Sequence, residues 1–393
     1  MTIMLGESIP LALVSGTLGN GIFLVGAFVL LLLGAEIFTN GVEWLGQHLG
    51  MGDSATGSIL AAVGTALPET MIPVIAIIGA FFSGGGGESA SAIGVGAILG
   101  APFLLATIAM FLVGVSVIYF SGGREHGSEL HVDDESTERD LSFFLVGYSL
   151  AFIAAFIPIR WITIVIGLFL IAWYGFYVYR TLQNDDFVET GEELDPLYLG
   201  KIAERFTGGR AETVPDGGQG YASDPPQWIV VLQTLIALAI IIGGAHLFVG
   251  EVRFFSNQVL AIPAAVLSLL LAPFATELPE KFNSVIWISD DKDTLALGNI
   301  TGAMAFQGTL PVMLGILFTS WDLSLQWGPT GFLNSLSAIL ALVSAAILYY
   351  RARADDTGAM RPGPFLIGGA FYAVFIVVLI YHVLAFDLAV SGH

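Results

Sequence analysis

Long apolar runs separated by short polar segments follow one another along nearly the whole chain. Two examples are FLVGAFVLLLLGAEIF (23–38) and FLLATIAMFLVGVSVIYF (103–120), each close to the roughly 20 apolar residues that a bilayer-spanning helix needs. The pattern predicts an all-α integral membrane protein with about ten transmembrane helices in the lipid bilayer. They are expected at 21–46, 53–82, 90–120, 141–157, 161–181, 227–250, 257–288, 294–319, 330–350 and 363–387.

The longest polar gap divides these helices five and five. It contains DGGQGYASDPP (216–226), a composition typical of a flexible linker. The sequence therefore predicts a first five-helix repeat over 1–181, an acidic linker over 182–226 and a second five-helix repeat over 227–393. An odd number of helices per repeat gives the second one the opposite orientation in the membrane, and such inverted repeats are common in secondary transporters.

Matching motifs at matching spacings support this repeat. GAEIFTNGVE (34–43) is similar to GAHLFVGEV (244–252), and the two motifs begin 35 positions before Glu69 and 36 positions before Glu280. A Gly-rich segment then follows in each half, IGVGAILGAPF and LALGNITGAMAF. The spacing of the glycines in both segments predicts close helix–helix packing.

Composition and charge narrow the class of protein. The mean hydropathy is +0.81 and 12% of the residues are charged, whereas about a quarter are charged in a typical soluble domain. The formal net charge of −20 argues against a nucleic-acid partner, and much of it lies in 129–140 and 184–195, which are expected to be solvated loops. The chain has no cysteine, which excludes disulfides and thiolate metal sites.

The positions of Lys and Arg predict the orientation. With ten spans, ten of these residues fall in loops on one side and two on the other, and the richer side is normally the cytoplasm. The sequence thus predicts a multi-pass protein of the cell (plasma) membrane, with a cytoplasmic linker and both termini outside.

Two similar motifs within apolar runs place a proline beside a glutamate. They are GTALPET (64–70) and ATELPEK (275–281). A proline inside a helix removes one backbone donor and frees the carbonyl four residues earlier. A carboxylate in the membrane is costly unless it faces a partner or an aqueous cavity. Carbonyl, hydroxyl and carboxylate oxygens together suit a hard cation such as Ca²⁺ or Na⁺. The alternative is two packing kinks with structurally hydrogen-bonded glutamates, but the recurrence in register favours a metal-cation site.

These motifs resemble those of the calcium/cation antiporter superfamily, the sodium/calcium exchanger-like membrane proteins. That family carries G-T-S-L-P-E on one helix and G-N-x-x-G-S-N on the next, in each of two inverted repeats. Here the first motif reads GTALPE and ATELPE, and the second reads GAILGAP and GNITGAM. The resemblance implies an antiporter that exchanges Ca²⁺ for Na⁺ or H⁺ by alternating access. It implies no enzyme and no cofactor, because the cations are the transported substrates.

The resemblance also implies a set of cation ligands at mid-membrane, on helices within about 53–120 and 257–319. They are the motif glutamates, the threonines near them and the asparagine of the eighth helix, which are here Glu69, Glu280, Thr65, Thr276 and Asn299.

Departures from the motifs change this set. Glu277 stands where the family has serine, and it adds a third carboxylate as a candidate metal ligand beside Glu69 and Glu280. Three like charges disfavour joint ionisation, so H⁺ is as plausible a counter-ion as Na⁺. Lys281 either neutralises part of this charge or extends to the membrane interface.

Three further residues are candidates for supporting roles. Gln307 lies two helical turns after Asn299, on the same face, and either bonds to the liganding residues or makes a plain helix–helix hydrogen bond. Glu36 and His246 occupy matching positions in the two halves. They either line a proton path or are ordinary hydrogen-bonded residues.

Other functions stay open at this point. The chain could exchange another cation for protons, or it could be a cation channel. An intramembrane hydrolase fits less well, since the chain contains no HExxH motif. The sequence does not determine the oligomeric state.

Overall fold

The computed structural model describes most of the chain, and this part is almost entirely helical. The described residues are 11–48, 62–82, 87–184, 196–200, 225–260, 262–321, 323–328, 330–354 and 358–386. The helices there are α1 (Leu11–His48), α2 (Ala62–Phe82), α3 (Gly87–Leu104), α4 (Met110–Phe120), α5 (Asp134–Ala154), α6 (Arg160–Asn184), α7 (Gln227–Phe254), α8 (Ala264–Ser289), α9 (Asp293–Gln307), α10 (Leu310–Phe318), α11 (Thr330–Arg353) and α12 (Gly363–Phe386). Short π-helical segments, Leu105–Ala109 and Phe255–Leu260, join α3 to α4 and extend α7. Two short strands, β1 (Leu130–His131) and β2 (Ala359–Met360), pair antiparallel.

Seven helical stretches among the described residues are long and apolar enough to cross a membrane. They are Gly16–Leu45, Glu88–Phe120, Arg160–Thr181, Gln227–Leu260, Asp293–Phe318, Thr330–Arg353 and Gly363–Leu384. Two shorter apolar helices, Glu69–Ala80 and Ala264–Phe274, lie next to the two Leu-Pro-Glu motifs. The protein is therefore a multi-pass membrane protein, and the count of ten crossings stays a prediction.

The boundary between the sixth and seventh predicted helices differs from the expectation. The prediction that the seventh helix begins at 257 is wrong, because 255–260 continue α7 as a π-helical segment and α8 begins at Ala264. Pro263 comes directly before α8. Proline is tolerated at the start of a helix but cannot donate a hydrogen bond inside one, so it separates the two helices here.

Part of the predicted acidic loop at 129–140 is ordered. Leu130–His131 form β1, and α5 begins at Asp134 rather than at 141. The Asp133 carboxylate accepts a hydrogen bond of 3.2 Å from the backbone N–H of Glu135. Such a cap satisfies one of the N–H groups that the first turn of a helix leaves free, which explains the earlier start.

Both motif prolines lie within continuous helices. Helix α2 runs through Pro68 and α8 runs through Pro279. Each proline therefore removes one backbone donor without interrupting the helix. Because α8 is continuous, Glu277 and Glu280 occupy neighbouring positions on one helix face.

The first helices of the two halves run in opposite directions. Gly34 of α1 packs against Ile241 of α7, and Gly41 packs against Thr234. Residue numbers thus rise along α1 as they fall along α7. This antiparallel pair confirms the inversion that the matching motifs predict.

Helices α3 and α8 cross closely through glycines. A Cβ atom on Gly96 would overlap the backbone oxygen of Ala265, and one on Gly100 would overlap that of Leu269. The prediction of close packing is confirmed for these two glycines. Among the described residues it is wrong for the corresponding Gly298 of α9, because a Cβ there would have none of their atoms within 4 Å.

A buried carboxylate of α5 holds α9 in place. Asp140 accepts hydrogen bonds of 2.8 Å from the Thr301 hydroxyl of α9 and 3.1 Å from the Tyr177 hydroxyl of α6. Asp140 is 3% exposed, and a buried carboxylate needs such partners. These bonds fix a second-half helix against two first-half helices.

Three loops are tied together at one end of the molecule, and we call residues 121–133, 290–293 and 358–361 the loop clamp. The buried Arg124 guanidinium donates to the Asp293 carboxylate and lies 3.4 Å from that of Asp291. Strand β1 pairs with β2, which joins the first loop to the third. All three loops carry basic residues that the sequence assigns to one side of the membrane, and their contact agrees with that assignment.

Candidate cation-binding site

One amide connects carboxylates from the two halves of the chain. The Nε2 atom of Gln307 donates to Glu69 Oε2 at 2.8 Å and to Glu277 Oε1 at 3.1 Å. Gln307 and Glu277 are fully buried, and Glu69 is partly buried. An amide nitrogen carries two hydrogens, so one is available for each carboxylate. Helices α2, α8 and α9 therefore meet at a polar centre with oxygen atoms from both repeats.

A helix break places Gln307 at this centre. Helix α9 ends at Gln307 and α10 begins at Leu310, although the two fall in one apolar span. The Thr309 hydroxyl shares its one hydrogen between the backbone oxygens of Ala305 and Phe306, at 2.8 and 2.9 Å, and so helps to satisfy carbonyls that the end of α9 leaves free. A Cβ on Gly308 would come within 2.6 Å of the Phe144 ring. Discontinuous helices with satisfied ends are typical of transporter binding sites.

Lys281 lies inside the protein beside this centre. It is 1% exposed, its Nζ atom is 4.0 Å from Glu277 Oε2, and it donates to the backbone oxygen of Asn299 at 3.3 Å. The interpretation in which Lys281 reaches the membrane interface is therefore wrong. The interpretation in which it neutralises part of the site's charge agrees with this position.

Two predicted neutral ligands have protein partners. The Thr276 hydroxyl donates to the backbone oxygen of Ala272 at 3.1 Å, and the Asn299 amide donates to the Ser284 hydroxyl at 3.3 Å. A hydroxyl that donates one bond keeps lone pairs with which to accept another. Sequence analysis missed Ser284, although it lies two turns after Glu277 on the same face of α8, a spacing that identifies it in retrospect.

Two predicted ligands, Glu280 and Thr65, have side chains outside the described part of the structure. Their backbones belong to α8 and α2. Within the described part, no group of three His, Cys, Asp or Glu side chains is arranged to hold a metal ion. Of the three predicted carboxylate ligands, Glu69 and Glu277 have described side chains and Glu280 does not, so the three-carboxylate site stays a prediction.

The structure does not bring Glu36 and His246 together. Both side chains are exposed, on α1 and α7. The antiparallel register of these helices separates the two residues by about seven positions, or about 10 Å along the axis. Glu36 instead accepts a 2.7 Å hydrogen bond from the Tyr198 hydroxyl.

Comparisons with known proteins agree with this architecture. The sequence model of the family described as sodium/calcium exchanger protein matches residues 20–183 and 229–384, one segment in each half. The comparison with curated proteins gives no match.

Several solved structures share the fold. The H⁺/Ca²⁺ exchanger CAX superposes with a TM-score of 0.62 at 15% identity, over 97% of this chain and 95% of that one. The sodium–calcium exchanger NCX_Mj soaked with Na⁺ and Sr²⁺ gives a TM-score of 0.52 at 18% identity, over 92% and 99%. Native YfkE gives 0.55 at 12% identity, over 93% and 95%. These identities support likeness of fold alone, whereas the family model covers most of both halves, and the chain belongs to the sodium/calcium exchanger family.

Proposed function

We propose that the protein is a secondary active antiporter that carries Ca²⁺ across the membrane in exchange for Na⁺ or H⁺. The observation that carries the proposal is the amide of Gln307, which holds Glu69 of the first repeat and Glu277 of the second at one buried point. A site built from both repeats can change its access when the repeats move relative to each other. Two structural relatives are named as a H⁺/Ca²⁺ exchanger and a sodium–calcium exchanger.

The site's own residues suggest how a cation binds. Carboxylate oxygens are preferred ligands of Ca²⁺, and Gln307 donates to one oxygen each of Glu69 and Glu277. A cation that approaches these oxygens replaces the amide hydrogens as the positive partner. In the proposal Glu280, Thr65, Thr276 and Asn299 complete the ligand set.

Two departures from the family motif bear on the counter-ion and favour a second candidate function. Where the family motif has two neutral side chains, this chain has Glu277 and Ala66. Fewer neutral oxygens suit Na⁺ poorly, and clustered carboxylates accept protons more readily than isolated ones. Antiport of another cation against H⁺ is therefore the alternative function.

The test is uptake of ⁴⁵Ca²⁺ into proteoliposomes under Na⁺ and H⁺ gradients that are imposed separately. We expect saturable uptake that requires a counter-ion on the opposite side. The Glu69→Gln and Glu280→Gln variants are expected to lose at least 95% of it, because each removes one carboxylate ligand. The control is Glu125→Gln, an exposed loop carboxylate, which should leave uptake unchanged.

Normal uptake by either site variant would refute the role of that glutamate. Flux that does not saturate and needs no counter-ion would indicate a channel. Uptake of a different metal ion, driven by H⁺ alone, would favour the alternative function.

A further inference from the structure

Lys281 is an unusual residue for the interior of a membrane protein. It lies on α8, one turn after Glu277, and its side chain is 1% exposed. A buried ammonium is costly unless a charge and hydrogen-bond acceptors surround it. Its neighbours provide both, since Glu277 Oε2 lies 4.0 Å away and the Asn299 carbonyl accepts a 3.3 Å hydrogen bond.

The two oxygens of Glu277 face different groups. Oε1 accepts from the Gln307 amide at 3.1 Å, and Oε2 faces the Lys281 ammonium. The ammonium thus lies on the second-half side of the site, against α9. Part of the negative charge of Glu277 is already balanced by the protein itself.

The two unusual residues occur as a pair in the sequence. Glu277 and Lys281 are four positions apart on one continuous helix, which is the spacing at which oppositely charged side chains meet. A carboxylate and an ammonium introduced together leave the net charge of the site unchanged. Together with the predicted ligand Glu280, the residues Glu69, Glu277 and Lys281 carry a formal charge of −2, which one divalent cation neutralises.

We infer that Lys281 is a resident cation of the transport site. Its ammonium occupies the place beside Glu277 that a second, monovalent cation would otherwise take, so that the site binds one divalent ion without a companion. This inference rests on the proposed function and adds the number and charge of the ions bound. A purely structural role, in which Lys281 only ties α8 to the Asn299 carbonyl of α9, is the competing explanation.

Charge-changing variants of the purified full-length protein separate the two explanations. The measurement is equilibrium binding of ⁴⁵Ca²⁺ in detergent at constant ionic strength, with choline as the other cation. We expect Lys281→Met to bind Ca²⁺ at least tenfold more tightly than wild type, because a positive charge next to the ion is removed. The matched control Lys281→Arg keeps the charge and should stay within threefold of wild type.

A variant of Glu277, the carboxylate beside Lys281, completes a double-mutant cycle. Glu277→Gln should weaken Ca²⁺ binding at least tenfold. The double variant Glu277→Gln/Lys281→Met restores the formal charge of −2 and should return to within threefold of wild type. If Lys281→Met is not monodisperse in size-exclusion chromatography, the comparison of Glu277→Gln with the double variant decides instead. In that case the inference requires the double variant to bind Ca²⁺ tenfold more tightly than Glu277→Gln alone.

Two outcomes would overturn the inference. Lys281→Met that binds Ca²⁺ with unchanged or weaker affinity contradicts it and leaves the antiporter proposal standing. Failure of the double variant to recover the affinity lost in Glu277→Gln also contradicts it. Wild-type protein without saturable Ca²⁺ binding would instead refute Ca²⁺ as the substrate, and the inference would fall with it.

Discussion

At the scale of single residues, the main feature of the site is that one neutral side chain donates hydrogen bonds to two carboxylates. Gln307 donates to Glu69 and Glu277 from the same nitrogen, and hydrogen bonds to charged groups contribute about 1.5–3 kcal/mol each. Without the amide, two carboxylates from different repeats would face each other directly. Gln307 therefore offsets the repulsion between these two carboxylates.

A variant at Gln307 tests this role. Gln307→Leu keeps the approximate volume but removes both hydrogen bonds, so we expect Ca²⁺ uptake to fall at least tenfold. The thermal stability of the purified protein without Ca²⁺ should also fall, because two buried carboxylates lose a donor. The matched control is Gln183→Leu, an exposed glutamine at the end of α6, which should change neither quantity. Normal uptake by Gln307→Leu would contradict a role in the site.

The sequence predicts some of these residues better than others. The duplicated Leu-Pro-Glu motif identifies Glu69, and the structure places it in contact with Gln307. For Gln307 the sequence allows either a bond to the liganding residues or a plain helix–helix hydrogen bond. The structure shows bonds to Glu69 and Glu277, and the choice depends on where α9 ends, which hydropathy does not show. The sequence also leaves open whether the Lys281 side chain is buried or reaches the interface, because its position next to Glu280 does not determine its tertiary contacts.

At the scale of helices, equivalent glycines of the two repeats have different surroundings. Gly96 lies against the backbone of α8, whereas a Cβ on Gly298 would have no described atom within 4 Å. The motif is thus the same in sequence but differs in packing. Sequence periodicity shows where glycines recur, but it does not reveal which of them face a neighbouring backbone.

This difference predicts unequal tolerance to one added methyl group. Gly96→Ala should destabilise the protein by about 1–3 kcal/mol or more, because the Cβ overlaps the Ala265 oxygen and the helices must separate. Gly298→Ala is the matched control and should be neutral or slightly stabilising, since alanine favours helix. The measurement is the thermal unfolding midpoint of both variants by size-exclusion chromatography. Equal midpoints would show that the close crossing of α3 and α8 is not required.

Helix positions themselves are largely predictable, and the exceptions have local causes. Apolar runs of 20 residues locate most of the helices, since lipid demands them. The break at Gly308 and Thr309 is invisible to hydropathy because the apolar run continues through it. The early start of α5 depends on one capping carboxylate, Asp133, in a stretch that composition alone assigns to a loop.

At the scale of the whole molecule, the inverted repeat is the feature that the sequence predicts most fully. The spacing of matching motifs implies it, and the antiparallel packing of α1 against α7 confirms it. The absolute orientation in the membrane is a separate matter, because it depends on loop charges rather than on packing.

Single-cysteine labelling tests that orientation cleanly, since the natural chain has no cysteine. Glu125→Cys lies in the loop clamp, and Gln326→Cys lies in the exposed loop between α10 and α11 at the other end of α11. We expect a membrane-impermeant maleimide to label Gln326→Cys in intact cells and Glu125→Cys only after permeabilisation. The reverse pattern would invert the predicted topology, and labelling of both from one side would contradict the placement of the two loops.

The loop clamp limits how this molecule can open. It links the ends of α4 and α5 to α8 and α9 through Arg124 and Asp293, and to α11 and α12 through β1 and β2. These contacts link the two repeats at that end and oppose their separation there. Among the described residues, the α1–α7 pair contributes none to the loop clamp, so we expect a change of access to leave the clamp closed and to displace α1 and α7 relative to the helices that it links.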